Sequence, residues 1–166
     1  MQRMSLSAAW LIAGVWIGLA GSASLSHAGS LAPPFALRGL DGKPLRTSDF
    51  RGQPVVLDFW ATWCVPCRAS MPHLDHIQTR FRDQGLVVIG LSVDDVPAQD
   101  VRRYAERLGL RFRLGMAPES VLDDYGPIRS IPTTFFINRR GEIVRRVVGY
   151  VDAETMEDFA REIVPR

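Results

Sequence analysis

The chain has 166 residues, 46% of them apolar, which is enough for one well-filled core and too little for two ordinary domains. Twenty basic and eighteen acidic side chains leave a formal charge of +2, a balance that argues against nucleic acid as a partner. Nineteen of the basic residues are arginines, with Lys43 the one lysine, a compositional bias to which no function is assigned.

Residues 1–28 read as a secretory signal peptide: Arg3 is their one charge, Ala8 to Ala20 is an apolar run of 13, and Ser26-His27-Ala28 is a small-x-small site. The alternative is an uncleaved membrane anchor, since Leu6 to Leu25 reaches the roughly 20 residues a spanning helix needs, although serines and glycines interrupt it. No cysteine lies near its end, so a lipoprotein acyl site is excluded. On either reading the folded part works outside the cytoplasm, periplasmic or exported, where disulfides form and persist. Loss of residues 1–28 removes Arg3 alone, so the charge becomes +2 − 1 = +1.

Residues 29–34 read as a linker and 35–166 as a single domain. Asp41-Gly42 between short apolar segments predicts an N-terminal hairpin. Pro54 to Trp60 is too continuously apolar for a strand with one wet face, so it belongs at the centre of a sheet, with Asp58 its anomaly. From Pro66 the spacing turns helical through Met71, Leu74, Ile77 and Phe81, with Pro72 expected to kink the helix and Gly85 to stop it. Leu86 to Val93 predicts a second buried strand, after which Asp94-Asp95 and Pro97 stand as helix-opening signals.

Val101, Tyr104, Ala105 and Leu108 share one face of the helix that follows, and Gly109 closes it. A short segment at Phe112–Leu114 and a helical turn near Ser120–Tyr125 lead to Ile131-Pro132-Thr133. Thr134–Ile137 and Ile143–Val148 predict an antiparallel pair, and Met156, Phe159, Ala160 and Ile163 mark a last helix behind Asp152. The order predicts an α/β fold, a central mixed sheet with helices on both faces and an N-terminal β-hairpin extension.

Cys64 and Cys67 are the only cysteines. A Cys-x-x-Cys at the exit of a buried strand puts both sulfurs in the first turn of a helix, where free N–H groups and the positive dipole end favour thiolate. Cys64, the outer one, is the expected nucleophile toward a partner's disulfide, and Cys67 the thiol that resolves the mixed disulfide. A purely structural staple is the weaker reading, because so short a loop restricts the unfolded chain little.

Zinc at Cys64, Cys67, His73 and His76 fails on geometry. On a continuous helix His73 lies roughly 9 Å along the axis from Cys67, whereas zinc ligands sit within about 2.3 Å of the metal. Both histidines are expected to face solvent. Peroxidase chemistry at Cys64, assisted by Thr62, is a third alternative, weakened because Thr62 stands two residues before the cysteine where the peroxiredoxin pattern has three.

Trp63-Cys64-Val65-Pro66-Cys67 resembles the thioredoxin superfamily, and more narrowly the TlpA-like thiol-disulfide oxidoreductases of the ResA and cytochrome-maturation type. Leu40 to Lys43, Phe50 to Leu57, Phe59 to Trp63, Arg68 and Met71-Pro72 support the match, which runs from about residue 33 to the end. The resemblance implies a thioredoxin-like fold and a protein disulfide oxidoreductase with no bound cofactor and no metal. Its implied partners are protein thiols and disulfides, such as those of apocytochrome c, and a membrane thiol-reducing transporter as electron donor; a monomer is expected.

The resemblance also implies that Ile131-Pro132-Thr133 is a cis-proline loop which, with Trp63 and Pro66, receives an extended substrate segment. From sequence alone the trans isomer at Pro132 would be the default. Ser70 replaces the subfamily's usual glutamate, and Asp58 its usual strand asparagine. A carboxyl in so apolar a strand is costly unless neutral, paired or wet, which makes Asp58 a candidate proton partner for Cys67.

Reduction is the direction the family implies, with oxidation or isomerisation of exported proteins as the alternative. A competitor from another class is a binding module with a locked disulfide, using Trp60 and Trp63 as an apolar contact patch.

Overall fold

The computed structural model describes residues 29–164. β1 (Ala36–Arg38) and β2 (Pro44–Arg46) form the N-terminal hairpin, turning where Gly42 takes a φ of 82° that a side chain would disfavour. β3 (Val55–Trp60) runs into α1 (Val65–Arg80) and β4 (Val87–Ser92), then α2 (Ala98–Arg107) and β5 (Arg113–Met116). α3 (Glu119–Asp124), β6 (Thr133–Ile137), β7 (Ile143–Val148) and α4 (Ala153–Ile163) complete the chain.

The main sheet has the order β5-β4-β3-β6-β7, parallel across β3, β4 and β5 and antiparallel across β6 and β7. β3 is its middle strand and all six of its residues are buried, as its unbroken apolar run requires. Alternation then sorts its side chains onto two faces. Val55, Leu57 and Phe59 pack with the hairpin, Phe50 and α3. Val56 meets Leu74 and Ile77 of α1 and Met156 of α4, while Trp60 meets Cys67 and Met71 of α1 and Val101 of α2. Three helices thus cover one face, and α3 with the hairpin covers the other.

α1 contains Pro72, which deprives the Arg68 carbonyl of an intrahelical donor without ending the helix. Several local expectations change. α1 stops at Arg80, and a 3₁₀ turn precedes the left-handed Gly85. The N-cap of α2 is Pro97, with no side-chain bond, so Asp94 and Asp95 do not cap that helix. Asp152 does cap α4, its carboxylate accepting the Thr155 N–H at 3.0 Å. The segment expected to be a linker is tied to the domain: Ile143 N–H donates to Ser30, Ala32 N–H to Gly141, and the Tyr125 hydroxyl to Pro33. The signal-peptide and anchor readings concern residues 1–28, outside the described residues.

Gly90 of β4 lies opposite Asp58 on the helix-covered face, and the space it leaves is filled by neighbours. A Cβ there would come within 2.9 Å of Leu114, 3.0 Å of Phe112 and 3.1 Å of Trp60 Nε1. Gly90→Ala is expected to cost about 1–3 kcal/mol by overpacking. Urea unfolding checks this as a lowered midpoint with an unchanged slope.

Candidate active site

β3 ends at Trp60 and the next four residues carry the chain from the sheet to α1. Cys64 is the N-cap of α1, and its Sγ accepts the Cys67 N–H at 3.2 Å. Pro66 fits the first turn, where a missing N–H costs no intrahelical bond. The two sulfurs are joined in a disulfide. Cys64 is 5% exposed and Cys67 1%, so Cys64 is the more accessible of the two sulfurs.

Trp63 and Val65 stand out on either side of Cys64, 69% and 65% exposed. The Ile131–Pro132 peptide is cis. Ile131 packs against the cluster that holds both cysteines, which places the loop beside them. Pro132 and Thr133 are buried; the Pro132 carbonyl accepts the Gly149 N–H, and the Thr133 hydroxyl donates to Ser130. Trp63, the cysteine pair and the Pro132 loop therefore share the end of the sheet at which β3 exits.

Trp60 belongs elsewhere. It is fully buried and stacks on Tyr104 at 6.2 Å, so it forms no surface patch with Trp63. Its Nε1 is the one buried side-chain polar atom without a partner among the described residues.

Asp58 sits on the face of β3 turned to α1, two residues from Val56 on one side and from Trp60 on the other. Those neighbours pack beneath α1 between Cys67 and Ile77, so Asp58 lies under the first turns of that helix. Burial pushes its carboxyl up from 3.8 to about 7, against a smaller lowering by the Thr134 hydroxyl, which donates to Oδ1 at 2.7 Å. Ser70 is buried in the same part of α1, and its hydroxyl donates to the Pro66 carbonyl at 3.1 Å, so the helix supplies no acid there.

One histidine and one aspartate differ from expectation. His73 is half-buried, its Nδ1–H donating to the Val151 carbonyl at 3.0 Å, and Tyr150 packs edge-on against its ring. His76 is the exposed one, near Glu157. Asp94 is buried beside the cysteine loop and accepts from Thr62, so the Thr62 hydroxyl is engaged with a carboxylate. Neither link could be read from the chain, since the partners lie 78 and 32 residues apart.

A model of the AhpC/TSA family matches residues 28–146. The chain belongs to that family. Among curated relatives it is 35% identical over 138 residues to the thiol-disulfide oxidoreductase ResA of Geobacillus thermodenitrificans, covering 82% of this chain and 78% of the relative. To ResA of Halalkalibacterium halodurans it is 36% identical over 143 residues, covering 86% and 80%.

A solved thiol:disulfide interchange protein of the thioredoxin family, from Chlorobium tepidum, superposes with a TM-score of 0.76 at 26% identity, over 81% of this chain and 96% of that one. The ResA-like resemblance and the thioredoxin-like fold therefore hold, and the chain is a thiol-disulfide oxidoreductase by kinship as well as by its Cys-x-x-Cys pair.

Proposed function

We propose that this ResA-like protein reduces disulfides of exported proteins outside the cytoplasm, with Cys64 as the attacking and Cys67 as the resolving thiol. The observation that carries the reading is Cys64 at the N-cap of α1, its sulfur facing the Cys67 N–H and the cis-Pro132 loop beside it. A thiolate there is stabilised by that donor and by the helix end.

The Cys64 thiolate attacks one sulfur of the substrate disulfide, and the other leaves as a thiolate. Cys67 then gives its proton to Asp58 and attacks Cys64, releasing the second substrate thiolate and closing the Cys64–Cys67 disulfide. Two electrons pass to the substrate. Trp63, Pro66 and Ile131 offer the surface for an extended segment around the substrate cysteine, with the buried Pro132 and Thr133 shaping the loop beneath it.

Apocytochrome c is the substrate class that the ResA-type kinship suggests, and a membrane thiol transporter the source of electrons that reopens the pair. The protein acts as a monomer, with residues 1–28 either removed on export or retained as an anchor. No helix among the described residues is long and apolar enough to cross a membrane.

The deciding measurement is the equilibrium of Cys64–Cys67 against dithiothreitol or glutathione, paired with insulin reduction. A strongly reducing potential with turnover is expected. A potential near that of a strong oxidant would reverse the direction, and an inert pair would make the protein a binding module.

A further inference from the structure

We infer that Asp94 is a positioning residue, which holds the loop of Cys64 in its working place when the disulfide is open. The inference rests on Cys64 being the attacking thiol. β3 and β4 pair in parallel as far as Trp60 and Ser92. Beyond them Val93 N–H still donates to the Trp60 carbonyl, and then the two chains part toward α1 and α2. Thr62 and Asp94 each stand two residues past the last pair, and there a side chain takes over from the ladder. Asp94 Oδ2 accepts the Thr62 N–H at 2.9 Å, and Oδ1 accepts the Thr62 hydroxyl at 2.6 Å.

The carboxylate is itself held. The Ser92 hydroxyl donates to Oδ2 at 2.6 Å, and Asp94 N–H donates to Ser92 Oγ at 3.1 Å. Asp94 is 8% exposed and, among the described residues, has no salt bridge. A buried carboxyl group that accepts from three donors and has no cation beside it depends on those bonds for the hydrogen bonding it gives up in water, so each loss is costly.

The consequence falls on Cys64. Its N–H is bound within the loop, to the Ala61 carbonyl, and its sulfur faces the Cys67 N–H. In the disulfide form the covalent bond keeps that alignment. In the dithiol form the bond is gone, and the tie through Thr62 to Asp94 is what keeps the sulfur in front of the helix-end donors that favour its thiolate.

The test uses the dithiol form, alkylated with iodoacetamide at a fixed pH near 6 and mapped by mass spectrometry. Asp94→Ala is expected to slow alkylation of Cys64 about tenfold, the equivalent of about one unit in its pKa, and to move the pair to a more reducing potential. Asp94→Asn keeps an acceptor for the Thr62 N–H and is expected to stay within about threefold of wild type. Thr62→Val removes only the hydroxyl bond and serves if Asp94→Ala does not fold, with a smaller slowing expected.

Faster alkylation in both Asp94 variants would mean that only the charge matters and would overturn positioning. Unchanged rates with lowered stability would also overturn it, as a merely structural role. Wild-type reaction at Cys67 before Cys64 would instead overturn the attack order proposed above, and the premise of this inference with it.

Discussion

Cys67→Ser is expected to abolish turnover and leave Cys64 covalently attached to its substrate. The thiolate at the N-cap can still open a substrate disulfide, but no second sulfur stands behind it to complete the exchange. Insulin reduction should fall by more than about 1,000-fold, because release now depends on a thiol arriving from solution. Cys64→Ser should fall as far and trap nothing, since Cys67 is sealed at 1% exposure. Pull-down of the Cys67→Ser protein from a periplasmic extract, followed by release with dithiothreitol, reads the result. Recovery of no mixed disulfide would count against protein substrates, and equal trapping by Cys64→Ser would reverse the roles of the two sulfurs.

Asp58→Asn is expected to separate stability from catalysis. Burial raises the folded-state carboxyl from 3.8 to about 7, so the folded protein holds a proton that the unfolded chain has already released. The contribution of Asp58 to stability is fully present below about pH 4 and is lost as pH rises from there to about 7, after which the loss is constant. The three-unit gap corresponds to roughly 3–4 kcal/mol at pH 8. An uncharged amide of the same shape escapes that cost. Urea unfolding of the disulfide form at pH 4 and pH 8 should therefore show Asp58→Asn more stable than wild type at pH 8, by up to that amount, and its pH profile flatter.

The same substitution should slow resolution of the mixed disulfide by about 10–100-fold, as expected when a positioned base is removed. If the profile between pH 4 and pH 7 is unchanged by the substitution, the raised carboxyl is wrong. If stability responds and resolution does not, Asp58 is a buried acid with no part in proton transfer.

The central strand, the Cys-x-x-Cys helix and the last helix were legible because their signals are local. An unbroken apolar run of strand length marks β3, and helical spacing from Pro66 marks α1. The disagreements arise where distant segments supply the partner. Asp94 precedes a proline and resembles a cap, yet its acceptors are spent on a loop 32 residues earlier. His73 reads as a surface residue on its own helix, and its proton is claimed by a carbonyl 78 residues away.

Trp60 and Trp63 are three positions apart and chemically alike. Trp60 ends a buried strand and points beneath α1, whereas Trp63 sits in the exposed loop that follows. The form of the Pro132 bond had no local signal either, because isolated X-Pro bonds favour trans and only the family resemblance pointed to cis.

The N-terminal hairpin has a bearing on the company this protein keeps. A sheet offers unpaired backbone groups along its outermost strands, to which an extended segment of another chain could add. Gly39 bridges Gly115 and the Leu40 N–H donates to the Leu114 carbonyl, so the free side of β5 is already occupied by the hairpin. At the opposite margin Leu31 bridges Glu142 at the approach to β7, and Arg145 and Arg146 add charge along that strand. Both margins are blunted against strand addition, so under the proposed function a substrate chain would be met at the end bearing Cys64 and not along an open strand edge.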